Sequence, residues 1–228
     1  VMSNPKQLTF PWEKNFKSSV KGFYCDPNNK KLFDELINFD GDDVFIYGTN
    51  NIGKTYLLQA ICNYYNSGSR SSLYIPLMDV KNYDTAIIDN VSSLDLVCID
   101  GLDQIANNSE WEIALFNLIN SSLNTECRLI FSANFTNKTL KFGLPDFESR
   151  IKKLNSFEMT PVQDLYLKEA LLHISEFRSI NLGEKEINYL LGYTKRNLSD
   201  LVSILERLES LSMELKRKIT IPLIKDYL

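Results

Sequence analysis

The sequence contains little of the side-chain chemistry on which disulfide-stabilised and metal-binding proteins depend. It has one histidine, His173, and four cysteines that are far apart and form no C-x-x-C pair. The cysteines are Cys25, Cys62, Cys98 and Cys127. We therefore expect neither a disulfide framework nor a metal-ligand cluster, and reduced cysteines are typical of a cytosolic protein. His173 is expected on the surface or at the boundary between surface and interior, and it is assigned no role.

Long apolar runs and an excess of positive charge are also missing. No apolar stretch approaches the roughly 18 residues of a membrane span, and residues 1–14 lack the apolar core of a signal peptide. The formal net charge is −4 at pH 7, so the chain as a whole lacks the positive field that attracts nucleic acid. Direct DNA binding is therefore not the default expectation. The composition is otherwise that of an ordinary folded protein.

Short apolar segments alternate with helix-periodic segments over the first 160 residues. Strands are predicted at 44–47, 73–76, 96–99 and 128–133, and helices at 55–65, 83–91 and 110–123. Strands this apolar have no solvent-facing side, so they predict an α/β fold with a parallel sheet covered by helices on both faces.

After Pro161 the pattern becomes helical only. Helices are predicted at 162–180, 184–193, 198–216 and 221–228. The chain is thus predicted to contain an α/β domain over residues 15–160 and a small all-helical domain over residues 161–228. Residues 1–14 are expected to be an extended segment that precedes both.

A phosphate-binding motif follows the first predicted strand. Residues 48–55 match G-x-x-x-x-G-K-[ST], the P-loop pattern, between a strand and a helix. The motif consists of Gly48, Thr49, Asn50, Asn51, Ile52, Gly53, Lys54 and Thr55. Backbone N–H groups of such a loop wrap a phosphate, the Lys54 side chain adds positive charge and the Thr55 hydroxyl is a ligand for Mg²⁺. The motif predicts a binding site for ADP or ATP with Mg²⁺.

The third predicted strand ends in a carboxylate that suits this site. Asp100 follows four apolar residues, where a P-loop protein needs an acid on the Mg²⁺ side. The next residue is Gly101, which has no side chain to orient an attacking water. Asp103 lies three residues after Asp100, and we interpret it as a solvated turn or helix-cap residue. The sequence therefore predicts weak ATP hydrolysis.

Four segments resemble the Hda family, the DnaA-related regulators of the AAA+ class. They are residues 98–100, 110–116, 143–150 and 217–222, and the resemblance covers essentially the whole chain. It implies a P-loop AAA+ module with a helical lid, a bound nucleotide, and the replication initiator DnaA as the partner. It also implies that the DNA-binding domain of DnaA has no counterpart in this sequence, so that any contact with DNA is indirect.

The resemblance assigns roles to particular residues. Asn134 falls on the sensor-1 position, which responds to the γ-phosphate, and a turn-forming role is the alternative. Arg150 falls on the arginine finger, whose planar fork and permanent charge suit the transition state of ATP held by a neighbouring molecule. Ser199 stands where the family has the sensor-2 arginine, and Arg196 either replaces that arginine or is simply solvated. The changes at Gly101 and Ser199 both argue against self-hydrolysis.

The first residues resemble a peptide that binds the replicative sliding clamp, the β subunit of DNA polymerase. The segment is Gln7, Leu8, Thr9, Phe10 and Pro11. An extended peptide of this kind buries Leu8 and Phe10 in a groove, while Gln7 forms directed hydrogen bonds. The alternative is a strand that packs Leu8 and Phe10 on the chain's own core.

Two functions from different classes remain open. The first is a regulatory protein that binds nucleotide, the clamp and DnaA, whose ATP hydrolysis it stimulates. The second is an ATPase of the helicase-loader type driven by its own hydrolysis. A DNA-binding initiator module is disfavoured by the net charge of −4. Self-association, the resident nucleotide and the residues around the base, for which Phe16, Val20 and Phe23 are candidates, stay undecided.

Overall fold

A five-stranded parallel sheet organises the first part of the computed structural model, which describes residues 18–78, 83–135 and 141–228. The strands are β1 (Val44–Gly48), β2 (Ser72–Pro76), β3 (Leu96–Asp100), β4 (Arg128–Asn134) and β5 (Asn155–Glu158). They lie in the order β2-β3-β4-β1-β5, and every neighbouring pair is parallel. The carboxyl ends of the strands therefore share one edge of the sheet.

Both faces of the sheet are covered by helices, as the apolar strands predict. Helices α1 (Lys30–Ile37) and α2 (Lys54–Ser67) pack on one face, and α3 (Ser109–Ser122) and α4 (Pro145–Lys152) on the other. Successive strand side chains alternate between the two faces because the backbone is pleated. Phe45 thus joins the apolar cluster of α3 and α4, whereas Ile46 joins the cluster of α1 and α2. The predicted α/β class is confirmed.

The last part of the described chain is helical and has its own apolar cluster. It comprises α5 (Leu167–Phe177), α6 (Glu184–Tyr193), α7 (Leu198–Leu215) and α8 (Ile221–Tyr227). Each helix contributes buried side chains, among them Leu171, Leu190, Leu205 and Ile224. The predicted small helical domain at the carboxyl end of the chain is confirmed.

Two buried side chains form hydrogen bonds with the segment that connects the sheet to these helices. The Asn29 side chain donates to the Thr160 carbonyl and accepts from the Thr160 N–H, each at 2.9 Å. The carboxylate of Asp26, which is fully buried, accepts from the Gln163 N–H at 3.1 Å. Buried polar groups need hydrogen-bond partners, so separating the two segments would leave these groups unsatisfied. The contacts therefore hold residues 160–163 against the segment that precedes α1.

The predicted helix at 83–91 is wrong. The segment forms two short 3-10 helices, Thr85–Ile88 and Val91–Ser93, separated by Asn90 in the left-handed region with φ of 63°. A left-handed residue cannot continue a right-handed helix. The predicted helix at 162–180 is shorter than expected, because a 3-10 turn, Asp164–Tyr166, precedes α5 and Ser179 has φ of 58°.

Other sequence features can now be located. All four cysteines are free. His173 is half-buried, and its ring lies edge-on to that of Tyr24 at 5.9 Å between centroids. Across the described ranges, no cluster of three or more potential metal ligands occurs, and no helix is long and apolar enough to cross a membrane.

Candidate functional site

The P-loop lies between β1 and α2, at the carboxyl edge of the sheet. Gly48 ends β1 so close to β5 that a Cβ atom there would lie 2.3 Å from the Met159 carbonyl oxygen. Gly53, immediately before α2, has φ of 97°, and Asn51 has φ of 58°. Glycine adopts this left-handed conformation readily, and asparagine does so more often than most other residues. The two glycines of the motif are therefore required by close approach and by backbone conformation, respectively.

Lys54 directs its ammonium group into the curve of this loop. Its Nζ donates to the carbonyl oxygen of Gly48 at 3.1 Å and to that of Thr49 at 2.6 Å, and the residue is only 4% exposed. Burial lowers the pKa of Lys54 below its usual value, while the charges of Asp100 and Asp103 raise it. A buried cation beside the first turn of α2 provides the charge that an anionic phosphate requires.

Asp100 is held by hydroxyl groups from three different elements. Thr55 Oγ1 donates to Asp100 Oδ2 at 2.7 Å, and the Tyr74 hydroxyl donates to the same oxygen at 2.8 Å. Ser132 Oγ, from β4, donates to Oδ1, and its own oxygen accepts from the Gly101 N–H at 3.1 Å. Burial, and then the charge of Asp100, raises the pKa of the Tyr74 hydroxyl. Tyr74 therefore remains a proton donor to the carboxylate.

The Thr55 and Asp100 pair suits Mg²⁺. The cation prefers hard oxygen ligands and keeps several of its waters, so one hydroxyl and one carboxylate at a phosphate site are typical donors. The sequence predicts both residues in this role, and the structure brings them into direct contact across the sheet edge. A bound Mg²⁺ would neutralise phosphate charge at that place.

The end of β4 brings Asn134 to the same edge. Asn134 pairs in register with Gly48, the first residue of the P-loop, and its N–H donates to Asp103 Oδ1 at 2.7 Å. Asp103 also accepts from Gln104 Nε2 through Oδ2. Asp103 is a turn residue, as the sequence suggests, but it is half-buried rather than solvated, and it links the turn after β3 to the end of β4.

Arg150 is a residue of α4, and it forms no hydrogen bond or ion pair with these residues. Its side chain is partly exposed, while Phe147 and Ile151 of the same helix are buried in the cluster shared with α3. Within residues 18–78, 83–135 and 141–228, no hydrogen bond or ion pair engages the Arg150 guanidinium. The structure thus brings together the P-loop, Asp100 and Asn134, but it does not join Arg150 to them.

The lid residues singled out by the sequence have other contacts. Arg196 forms a two-pronged ion pair with Asp164, with Nη2 at 2.8 Å from Oδ2 and Nε bonded to Oδ1. Ser199 lies in the first turn of α7, and its N–H donates to the Asn197 side chain at 2.8 Å. Arg196 is therefore occupied by a surface partner rather than simply solvated. The segment Gln7 to Pro11 lies outside the described residues.

Comparisons with known families agree with this arrangement. The sequence model described as the bacterial DnaA ATPase domain matches residues 37–159, which is more than half of the chain, and the model described as the Hda lid domain matches residues 164–228. The chain belongs to the DnaA-related AAA+ family. Its helical part is an Hda-type lid, so the resemblance inferred from the motifs is confirmed.

One related sequence and several solved structures are also similar to this chain. A protein of Haemophilus influenzae, described as uncharacterized, is 30% identical over 228 residues, covering 98% of each chain. Domain III of DnaA from Thermotoga maritima has a TM-score of 0.76 at 19% identity, over 94% of this chain and 98% of that one. AMPPCP-bound DnaA from Aquifex aeolicus has a TM-score of 0.70 at 19% identity, over 88% of this chain and 66% of that one. At such identities the structures show a shared DnaA-type fold.

Proposed function

We propose that this DnaA-related replication protein is a nucleotide-bound regulator that stimulates hydrolysis of ATP on DnaA and so prevents re-initiation. In this proposal the chain holds ADP or ATP with Mg²⁺ at residues 48–55 and Asp100. It presents Arg150 to the ATP of DnaA and reaches DNA indirectly, through the sliding clamp. Its nucleotide keeps the two domains in one arrangement, and association with further copies of the chain is compatible with the proposal.

The observation that carries the proposal is that the Arg150 guanidinium is partly exposed and forms no hydrogen bond or ion pair with the chain's own P-loop. An arginine finger must reach the γ-phosphate of a nucleotide bound by another molecule, so it needs a guanidinium that is partly exposed and unoccupied. Arg150 meets both conditions among the described residues, whereas Arg196 is paired with Asp164. The helix α4 that bears Arg150 is anchored by the buried residues Phe147 and Ile151.

The experiment that tests the proposal is single-turnover hydrolysis of ATP preloaded on DnaA. The rate is compared with and without this chain, each in the presence and absence of clamp loaded on DNA. We expect a large acceleration only when the chain and the loaded clamp are both present. An unchanged rate under all four conditions would contradict the proposal.

The clamp-binding segment gives a separate prediction. Leu8→Ala together with Phe10→Ala is expected to weaken clamp binding by at least about 100-fold, because two buried anchors of roughly 2 kcal/mol each are lost. Thr9→Ala is the matched control, since position 9 is the variable residue of the peptide pattern. Binding to immobilised clamp measures the affinity, and nucleotide affinity should not change. A fall of many degrees in Tm for the double variant would instead indicate a strand packed on the chain's own core.

The alternative function, a self-driven ATPase, is disfavoured by the residue after Asp100. Gly101 has φ of 90° and ψ of 49°, and a Cβ atom there would lie 3.4 Å from the Gln104 side chain. Space is therefore available, but the backbone conformation disfavours most side chains; aspartate and asparagine tolerate it best. No carboxylate occupies the water-orienting position.

We therefore expect the chain alone to hydrolyse ATP well below about 1 s⁻¹, the lower end of ordinary enzyme turnover. Gly101→Asp is expected to raise this rate, because it adds a carboxylate in a residue type that tolerates the left-handed conformation better than most, and Gly101→Asn is its uncharged control. Steady-state phosphate release measures all three proteins. Brisk hydrolysis by the unaltered chain would favour the self-driven ATPase.

A further inference from the structure

We infer that Glu112 is a positioning residue for Arg150: its buried carboxylate fixes the start of α4 and thereby the direction in which the guanidinium is presented. The inference rests on the proposed function, in which Arg150 serves the ATP of DnaA. Glu112 does not touch that nucleotide, and it acts only through the backbone.

Glu112 is a fully buried acid on α3, and its partners are backbone groups. Its Oε1 accepts from the Asn107 N–H at 2.7 Å and from the Gly143 N–H at 3.0 Å, while Oε2 accepts from the Leu144 N–H at 2.6 Å. The residue has no exposed surface. No lysine or arginine of the described chain forms an ion pair with it. A carboxylate buried in this way persists only because several donors compensate for its lost hydration.

Two of these donors lie at the beginning of α4. Leu144 is the residue that precedes the helix, and its own side chain provides no cap. Pro145, the first helical residue, has no N–H group. The Glu112 carboxylate binds the N–H groups of the two residues that lead into the helix, much as the glutamate of a capping box binds the N-cap N–H, and its negative charge also lies near the positive end of the helix.

The helix α4 is also anchored by one apolar face. Phe147 and Ile151 are buried in the apolar cluster that also contains Trp111 and Leu115 of α3. A short helix fixed by its first turn and by one apolar face has little freedom to tilt or rotate. Arg150 lies roughly 9 Å along the axis from Leu144, so a change in the start of α4 would displace the guanidinium. Displacements of about 1 Å can reduce catalytic rates by about 100-fold.

The variant that tests the inference is Glu112→Gln, which keeps the size of the side chain but replaces one acceptor oxygen by an N–H₂ group. That group faces backbone donors, so at least one of the three hydrogen bonds is lost. We expect the maximal rate of ATP hydrolysis on DnaA, measured at saturating amounts of this chain, to fall by about 10- to 100-fold. The concentration that gives half of the maximal effect should change little, and so should the chain's own affinity for ADP.

The matched control is Asp43→Asn. Asp43 also accepts a backbone N–H, that of Leu129 at 2.7 Å, but it precedes β1 at the opposite edge of the sheet. The Asp43→Asn variant should leave the maximal rate of ATP hydrolysis on DnaA unchanged, even if it lowers the Tm as much as Glu112→Gln does. A double variant, Glu112→Gln with Arg150→Ala, should be no slower than Arg150→Ala alone, because the two residues act through one guanidinium.

The outcomes separate this inference from the function on which it rests. If Arg150→Ala abolishes stimulation but Glu112→Gln does not reduce it, only the role of Glu112 is overturned. If Arg150→Ala has no effect, both are overturned. Should Glu112→Gln not fold, Glu112→Asp provides the test: it keeps the charge but shortens the reach by about 1.5 Å, and an unchanged maximal rate would overturn the inference.

Discussion

Replacement of Arg150 by alanine is expected to remove nearly all stimulation of ATP hydrolysis on DnaA, while this chain still binds nucleotide and the clamp. The guanidinium neutralises charge on the oxygens of the transferred phosphoryl group, and an alanine methyl cannot. For the best-studied GTPases, an arginine finger supplied by another molecule is worth roughly 10³- to 10⁵-fold in rate. Even a tenth of that effect is readily measured as single-turnover hydrolysis.

Two further variants make the Arg150 result specific. Arg150→Lys should not restore the rate, because one ammonium group lacks the planar fork of two parallel donors. Lys153→Ala, which removes a charge just after the same helix, is expected to have little effect, because Lys153 is an exposed residue that follows α4. Full stimulation by Arg150→Ala would show that the chain does not act through this residue.

Lys54→Ala is expected to weaken ADP binding by at least about 100-fold. The ammonium group makes charge-assisted hydrogen bonds that are worth roughly 1.5–3 kcal/mol each, and water cannot take its fixed place in the loop. In the structure the Lys54 ammonium group already lies inside the P-loop, where it donates hydrogen bonds to the carbonyl oxygens of Gly48 and Thr49. Calorimetric titration with ADP and Mg²⁺ measures the change directly.

Stability gives a second readout for Lys54. The protein should still fold, but saturating ADP should raise the Tm of Lys54→Ala far less than that of the unaltered chain, because stabilisation by a ligand depends on its affinity. Lys54→Met keeps most of the buried aliphatic chain and is the control for lost packing. It should bind ADP as weakly as the alanine variant while unfolding at a higher temperature. An ADP affinity within about threefold of the original would contradict the role given to Lys54.

The sequence could predict the sheet and the phosphate site because their signals are local. The P-loop occupies eight consecutive residues, and Asp100 directly follows an apolar strand. Contacts between distant elements carry no such signal. Ser132 follows three apolar residues of β4, and Tyr74 lies in β2. Only the pairing of β2, β3 and β4 brings both hydroxyl groups to Asp100.

Two short elements, α4 and β5, were missed for a related reason. The helix α4 and the strand β5 have eight and four residues, too few for a clear period. At residues 83–91 the apolar pattern suggests a helix, but the left-handed Asn90 lies between two short 3-10 turns and prevents one continuous helix. The anchoring of α4 by Glu112 depends on the packing of α3 against α4, which a single sequence does not reveal.

Following two nucleotides in one reaction tests directly whether this chain acts on the ATP of DnaA rather than on its own. ATP with one label is preloaded on DnaA, ATP with a different label is preloaded on this chain, and both are mixed with clamp-loaded DNA in a single turnover. We expect rapid hydrolysis of the labelled ATP on DnaA, dependent on Arg150, and slow hydrolysis of the labelled ATP on this chain. Rapid hydrolysis of the chain's own ATP, with the label on DnaA unchanged, would contradict this expectation.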